Sequence, residues 1–263
     1  MLRTRLLTAA VALPAVLAML MFASGPMFSA FIAVLGLWAL YEVAATTTDA
    51  RDPLSLGILA TAGALPLFVM LARGDGGLWI IPTAIIAAMI ALVIAVAIRG
   101  PAGAPRGRAL AALGALYIGV LYPYFAMLRN LRGGIPLIIL MLMLVVASDS
   151  GAYFAGSAIG RTKLAPRVSP NKSVEGAIGG LAAALVAGVI LRRWLAPGLS
   201  IAAAAAISIS IAILAQLGDL AGSAFKRGAG VKDSGWIFPG HGGLIDRTCS
   251  LVFAAVFTYY CFK

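Results

Sequence analysis

The sequence predicts an all-α, polytopic membrane protein: a single integral-membrane domain over residues 1–263 with about nine transmembrane helices. Hydrophobic residues make up 62% of the chain and charged residues only 11%, and the mean hydropathy is +1.03. Many apolar runs approach the ~20 residues that a helix needs to cross the hydrocarbon core. These runs are continuous and rich in Ala and Leu, whereas barrel strands alternate apolar and polar residues, so helices are predicted.

The apolar segments follow one another with short polar loops between them. The first begins after Arg3 and Arg5 and resembles a signal peptide, but it continues to about Phe22 and another apolar segment follows at once. We therefore interpret it as a retained membrane helix. The predicted segments are 6–24, 27–45, 54–72, 78–98, 109–128, 135–155, 176–195, 200–222 and 246–262.

The basic residues predict the orientation in the membrane. Fourteen of the 20 Lys and Arg residues fall on the side of the N-terminus, so the positive-inside rule places that side in the cytoplasm, with the protein in the cell (inner) membrane. Without the two polar loops of the C-terminal half, the two sides carry equal numbers of Lys and Arg residues, so those loops decide the predicted orientation. The net charge of +11 fits anionic lipid headgroups. No soluble domain is predicted that could bind nucleic acid.

The distribution of polar residues divides the chain into two functional parts. Residues 1–134 are predicted to anchor the protein, and residues 135–263 to carry the chemistry. The stretch 223–247 gathers four basic residues, two acids and the only histidine within an otherwise apolar sequence. Cys249 and Cys261 both fall in the last apolar segment, so no disulfide framework is indicated.

Asp149 and the loop that follows it predict one part of a site. Asp149 lies deep in the sixth apolar run or at its end, where a carboxylate is costly unless it faces a polar cavity, a cation or a base. An acid at a solvated helix end is the alternative. Further on, Ser169, Lys172 and Ser173 offer donors near the start of a helix, where anions are favoured. A phosphate-bearing ligand is predicted, and a loop that only anchors the positive side is the alternative.

The next polar helix and the loop after it predict the other part. Asp219 and Ser223 stand at i and i+4, with Lys226 or Arg227 completing one helical face. Alternatively, Asp219 only pairs with a nearby cation. Lys232 and Asp233 flank a turn that follows.

The end of the polar stretch combines glycines with an acid. Gly242 and Gly243 would let the backbone approach a phosphate closely. Asp246, in the first turn of the last helix, suits a metal held over phosphates, and Mg²⁺ fits such a set of few carboxylates. His241 is a candidate general base, or else a residue that orients a ligand or fixes the loop.

Eleven residues stand at a characteristic spacing: Ser223, Lys226, Arg227, Lys232, Asp233, Pro239, His241, Gly242, Gly243, Asp246 and Arg247. This spacing resembles the motif of the phosphatidate cytidylyltransferase (CDP-diacylglycerol synthase) family. The resemblance covers about residues 145–250 by motif and the N-terminal helices by general architecture. Two departures stand out: Cys249 replaces an Asp that the family commonly carries, and Ser173-Val174 replaces Thr and an aromatic residue.

The resemblance implies that CTP and phosphatidic acid give CDP-diacylglycerol and pyrophosphate with Mg²⁺ as cofactor. Membrane lipids are further partners, and a homodimer is left open. Under this hypothesis Asp219 and Asp246 hold metal, Asp149 and Asp233 add further polar or metal contacts, and His241 and the glycines shape the pocket. Substrate phosphates are bound by a larger set of donors: Ser169, Lys172, Ser173, Ser223, Lys226, Arg227, Lys232 and Arg247.

Two other functions remain as alternatives. Transfer of a cytidylyl group to another lipid phosphate is one, because featureless apolar helices would recognise the acyl chains. A secondary transporter with ion-carrying intramembrane acids is the other. A transporter is expected to show paired halves with matching broken helices, whereas the polar residues here crowd into one half.

Overall fold

Long apolar helices account for most of the chain in the computed structural model, which describes residues 10, 14–47, 53–74, 80–103, 106–235, 237 and 242–263. In chain order the helices are α1 (14–22), α2 (Gly25–Thr47), α3 (Pro53–Ile58), α4 (Leu65–Arg73), α5 (Ile80–Arg99), α6 (Arg108–Leu121), α7 (Pro123–Asn130), α8 (Gly134–Ile159), α9 (Val174–Leu195), α10 (Ile201–Gly228) and α11 (Leu244–Phe262).

Seven spans within the described residues are long and apolar enough to cross a membrane, which confirms the prediction of an all-α polytopic membrane protein. Two of these spans are composite: α3 with α4, and α6 with α7. The predicted segment 78–98 coincides with α5, whose apolar part Ala84–Arg99 is shorter than the seven spans. The predicted segment 6–24 is described only in part.

Both composite spans change their backbone hydrogen bonding at a defined point. Between α3 and α4, Leu59–Ala64 form a π-helical turn directly before Pro66. Pro123 is the first residue of α7, and because proline has no N–H it interrupts the ladder that α6 would otherwise continue.

The π-helical turn packs directly on α6. A Cβ atom added to Gly119 would lie 2.3 Å from the carbonyl oxygen of Gly63. Because two backbones meet at this point, neither side chain rotation nor a small shift can make room for a methyl group. The composite span Arg108–Asn130 is the most buried of the seven, so this contact lies at the centre of the bundle.

A short β-hairpin, which the sequence analysis did not predict, connects α8 to α9. Its strands are β1 (Lys163–Ala165) and β2 (Ser169–Ser173). They pair antiparallel, with Lys163 opposite Ser173 and Ala165 opposite Ser169. The hairpin lies where α8 ends and α9 begins, so it brings the polar loop of the sequence back over the ends of these helices.

We predict that Gly119→Ala destabilises the bundle by about 1–3 kcal/mol because the added methyl group overpacks a backbone contact. Thermal unfolding of the purified protein in detergent measures the effect. Gly57→Ala is the matched control, since an added Cβ meets no atom within 4 Å there and alanine favours the helix by up to about 1 kcal/mol. Equal melting temperatures for the two variants would contradict the packing at Gly119.

Candidate functional site

A cavity of about 600 Å³ opens between α8, β2, the start of α9 and the middle of α10. Asp149 contributes from α8, ten residues before the helix ends at Ile159, which is about 15 Å along the axis. The cavity therefore reaches well below the ends of the helices. Five of the residues predicted from the sequence line it together: Asp149, Ser169, Lys172, Ser173 and Asp219.

An ion pair joins two sides of this cavity. The Nζ atom of Lys172, on β2, lies 2.5 Å from Oδ2 of Asp219, on α10, and their side chains are 26% and 42% exposed. Asp219 does pair with a nearby cation, which comes from the hairpin; a further role for Asp219 stays a prediction. Because both groups remain accessible from the cavity, a ligand phosphate can compete for Lys172 and a cation can compete for Asp219.

Two amide side chains in the cavity wall were missed by the sequence analysis. Asn171, on β2, and Gln216, on α10, both line the cavity. Gln216 Nε2 donates to the carbonyl oxygen of Ala177 at 3.1 Å and lies 3.4 Å from Ser148 Oγ, so it also ties α10 to α8 and α9. A signal was present, because Gln216 is an isolated amide in a long apolar helix.

Local hydrogen bonds fix the polar loop against the start of α9. Ser173 is the N-cap residue, and its Oγ accepts from Gly176 N at 3.1 Å. A hydroxyl still has a proton to donate, so this role leaves Ser173 available to a ligand. Glu175 accepts from the backbone N–H groups of Arg161 and Thr162, each at 3.1 Å. Glu175 therefore fixes the backbone that leads from α8 into the hairpin.

The hairpin is also anchored to α5. Arg167, in the turn between the two strands, donates to the carbonyl oxygen of Ile98 and lies 3.4 Å from that of Ala97. These carbonyls belong to the last turn of α5, where helical partners are lacking. Of the cations in this loop, Arg167 thus has a structural role and Lys172 faces the cavity.

A second polar cluster forms where α10 ends and α11 begins. Lys226 is paired with Oδ1 of Asp246, whose side chain is only 3% exposed. Oδ2 of Asp246 accepts from Ser234 N at 3.0 Å, from Ser234 Oγ at 3.1 Å and from Gly243 N at 2.9 Å. Asp246 therefore caps its own helix and binds the preceding loop to it.

Glu42 also belongs to this cluster, although it lies far from the motif residues in the sequence. It lies on α2 and is 2% exposed. Its carboxylate accepts from the backbone of Leu244 at 2.7 Å and of Ile245 at 3.1 Å. Its Oε2 also lies 3.0 Å from Ser234 Oγ, whose single proton serves either this oxygen or Oδ2 of Asp246. Trp38 Nε1 also donates to the Glu42 carboxylate at 3.2 Å. Its position in the sequence could have indicated such a role, because Glu42, like Asp149, is an acid inside a predicted apolar span, where a carboxylate needs partners.

The two glycines predicted to approach a phosphate are packed against these carboxylates. Gly242 has a φ of +84°, and a Cβ there would lie 2.6 Å from Oδ2 of Asp246. A Cβ on Gly243 would lie 2.3 Å from Ser234 Oγ and 2.5 Å from Oε2 of Glu42. Internal contacts alone therefore require glycine at both positions, and a phosphate contact stays a prediction.

The other predicted residues lie outside the cavity lining. Arg227 donates to the carbonyl oxygen of Val231 at 3.3 Å and closes the turn after α10. Ser223 is half-buried on α10, and three charged residues are exposed around the loop: Lys232, Asp233 and Arg247. Pro239 and His241 lie outside the described residues, so their predicted roles remain predictions.

Cys249 connects the two polar clusters. Its Sγ lies 3.8 Å from Oδ1 of Asp219 and 3.9 Å from the carbonyl oxygen of Asp246. The side chain is buried where α10 and α11 pack closely, beside Gly222. The thiol therefore occupies the position from which a carboxylate would face Asp219 directly.

The acids of the two clusters differ in their suitability for a metal. Within the described residues, three or more His, Cys, Asp and Glu side chains are nowhere grouped as metal ligands. Asp149 and Asp219 line one cavity, and Mg²⁺ commonly takes one or two carboxylates with substrate phosphates completing the shell. This donor set fits Mg²⁺. The predicted metal role of Asp246 competes with the four interactions that already occupy its two oxygens.

Comparison with known proteins agrees with the motif. The sequence profile of the Cytidylyltransferase family matches residues 3–263. The phosphatidate cytidylyltransferase of Bacillus subtilis (strain 168) is 42% identical over 149 residues, 56% of this chain and 55% of that protein. The enzyme of Haemophilus influenzae is 47% identical over 131 residues, which are 48% of this chain and 46% of that protein. The enzyme of Brucella suis biovar 1 is 40% identical over 158 residues, which are 58% of this chain and 57% of that protein. The chain thus spans about half the length of the curated relatives it matches.

We predict that Cys249→Asp lowers the melting temperature in the absence of divalent cations, because it buries a second carboxylate beside Asp219. Mg²⁺ should then raise the melting temperature of this variant more than that of the unmodified protein, since a cation between the two carboxylates relieves their repulsion. Cys249→Ser is the control of matched size without the charge. A melting temperature of Cys249→Asp that does not respond to Mg²⁺ would contradict a metal position next to Asp219.

Proposed function

The chain belongs to the Cytidylyltransferase family, and from this premise we propose that it transfers the cytidylyl group of CTP to phosphatidic acid. The products are CDP-diacylglycerol and pyrophosphate. The observation that carries the proposal is the cavity in which Lys172, Asp149 and Asp219 meet within a bundle of membrane-spanning helices. The names of the bacterial relatives support the choice of phosphatidate as acceptor.

The proposed reaction exchanges one phosphoanhydride bond for another. A phosphate oxygen of phosphatidic acid attacks the α-phosphorus of CTP and forms the new P–O bond. The bond from that phosphorus to the oxygen bridging to the β-phosphate breaks, and its electron pair leaves with pyrophosphate. The attacking oxygen is already anionic near neutral pH, so the reaction needs little help from a general base. Its main barrier is the approach of two polyanions, which fixed positive charge lowers.

Lys172 is the residue that we assign to the phosphates. Its ammonium group reaches into the cavity from β2, which Glu175 and Arg167 hold in place. On nucleotide binding, Lys172 would exchange the carboxylate of Asp219 for a phosphate oxygen. The exchange is favoured because a phosphate offers more negative charge, and the partly exposed ion pair itself contributes little stability.

Asp219, once released, and Asp149 would hold Mg²⁺ at the same cavity. When bound there, the ion neutralises phosphate charge and orients the phosphate oxygens. Asp246 has a different task in this proposal. Its pairing with Lys226 keeps the start of α11 against α10, and Cys249 lies between this pair and Asp219.

The lipid substrate would enter from the side of the bundle. Tyr153 lines the cavity, and both Tyr153 and its neighbour Phe154 are largely exposed on α8, on a helix that is apolar enough to span the membrane. The phosphate of a lipid can thus reach the cavity while its acyl chains stay in the bilayer. We place the protein in the inner membrane with this cavity towards the cytoplasm, because the basic hairpin that lines the cavity lies on the side that the positive-inside rule assigns to the cytoplasm.

We predict that the purified protein, given CTP, Mg²⁺ and phosphatidic acid in detergent, forms CDP-diacylglycerol detectable by mass spectrometry. Lys172→Gln should lower kcat/KM for CTP by about 10- to 100-fold, since a charge-assisted contact to phosphate is lost. Lys163→Gln is the matched control, because Lys163 lies in the same hairpin and does not line the cavity. No product from the unmodified protein, alongside an active relative, would refute the proposed function.

We also predict that two acids respond differently to substitution. Asp219→Asn should raise the Mg²⁺ concentration for half-maximal activity by about tenfold or more, because a charged ligand is lost. Asp246→Asn should raise this concentration much less than Asp219→Asn does, because Asp246 does not line the cavity. It should lower stability by about 1–3 kcal/mol, because Lys226 and the first turn of α11 lose their partner. A large increase in the Mg²⁺ requirement of Asp246→Asn would instead support the metal role predicted from the sequence.

A further inference from the structure

Glu42 connects the N-terminal helix α2 to the polar end of the bundle through contacts with three residues: Ser234, Leu244 and Ile245. Two of these contacts come from consecutive backbone N–H groups, those of Leu244 and Ile245, in the first turn of α11. These groups have no partner inside the helix and form its positive end. The buried carboxylate and the unpaired N–H groups at the start of the helix therefore satisfy each other, and either would be costly alone in this apolar environment.

Ser234 transmits this contact to the Lys226–Asp246 pair. Its Oγ lies 3.0 Å from Oε2 of Glu42 and 3.1 Å from Oδ2 of Asp246, and its backbone N–H donates to the same oxygen of Asp246 at 3.0 Å. A hydroxyl has one proton, so Ser234 couples the two carboxylates. A displacement of Glu42 must therefore change the hydrogen bonding of Asp246.

The coupling extends to the cavity. Lys226 follows Asp219 by seven residues on α10, which places the two on one helical face. From the other side, Cys249 on α11 contacts Asp219 and follows Asp246 on the same helix. Glu42 thus fixes the helix that carries both Asp246 and Cys249, and through them the surroundings of Asp219.

We propose that Glu42 is a positioning residue for the transfer reaction, holding the first turn of α11 and Ser234 so that the Lys226–Asp246 pair supports the Asp219 wall of the cavity. The inference rests on the proposed function. It assigns Glu42 no contact with substrate. Its effect on catalysis passes through Ser234 and Asp246.

Two substitutions separate the geometry of Glu42 from its charge. Glu42→Gln keeps the size of the side chain but replaces one acceptor oxygen with an NH₂ group, which would face a backbone N–H donor. Glu42→Asp keeps the charge but is shorter by one methylene and cannot reach the same donors. We expect Glu42→Gln to lower kcat by about tenfold, as the loss of one charge-assisted hydrogen bond implies. Glu42→Asp should also lower kcat, although it keeps the negative charge, because its carboxylate cannot reach the same donors.

A double-mutant cycle with Asp246→Asn tests positioning against a general loss of stability. If Glu42 acts through Asp246, Glu42→Gln should cost about tenfold in the unmodified background and less than about threefold in the Asp246→Asn background. If the two substitutions act independently, for example through a general loss of folding, their separate fold-reductions in kcat should multiply in the double variant. Thr46→Val is the matched control on α2, because its hydroxyl donates to carbonyls of its own helix, those of Glu42 and Val43. It should leave kcat unchanged.

Amide hydrogen exchange provides a readout that does not need activity. Peptides covering Leu244 and Ile245 should exchange faster in Glu42→Gln than in Thr46→Val, with protection in α9 unchanged. If Glu42→Gln does not fold, Trp38→Phe takes its place, since it removes the indole donor to the carboxylate and keeps an aromatic ring. Multiplicative effects in the cycle, or unchanged exchange at the start of α11, would overturn the proposal. Absence of product from the unmodified protein would refute the proposed function, while the exchange data would still decide whether Glu42 positions α11.

Discussion

The first turn of α11 is held by two buried carboxylates, and the polar end of the bundle depends on this contact. Glu42 accepts from the backbone of Leu244 and Ile245, and Asp246 accepts from Gly243 and pairs with Lys226. In an apolar chain each of these charges would be costly if isolated, as would the unpaired N–H groups of the helix. Together they make α11 begin at one place, next to the end of α10.

Contacts from the N-terminal helices fix both polar loops of the C-terminal half. Arg167 attaches the hairpin to the last turn of α5, and Glu42 attaches the start of α11 to α2. The functional division at residue 134 stays a prediction, but its two parts are in direct contact at these points. The anchored hairpin forms one wall of the cavity, where a lysine and two carboxylates remain accessible. An anchored wall with an exchangeable ion pair suits the proposed approach of two polyanions.

The apolar runs predicted the membrane spans well, because each span needs only local information about length and hydropathy. The acids within apolar runs likewise indicated Asp149 and Asp219, which do line one cavity. Pairing could not be predicted in the same way, since it depends on which helix ends meet. Asp219 pairs with Lys172 of the hairpin. Lys226 lies on the same face of α10 as Asp219 but pairs with Asp246 of α11. The role of Glu42 was hidden for the same reason.

The most direct measurement of the proposed chemistry follows the phosphorus atoms of CTP. The purified protein, Mg²⁺ and phosphatidic acid would be given CTP labelled with ³²P at either the α- or the γ-position. We expect the α-label to appear in the lipid and the γ-label in pyrophosphate, because the bond that breaks lies between the α-phosphorus and the β-phosphate. Transfer of the γ-label to lipid, or retention of both labels in the nucleotide, would contradict cytidylyl transfer at this site.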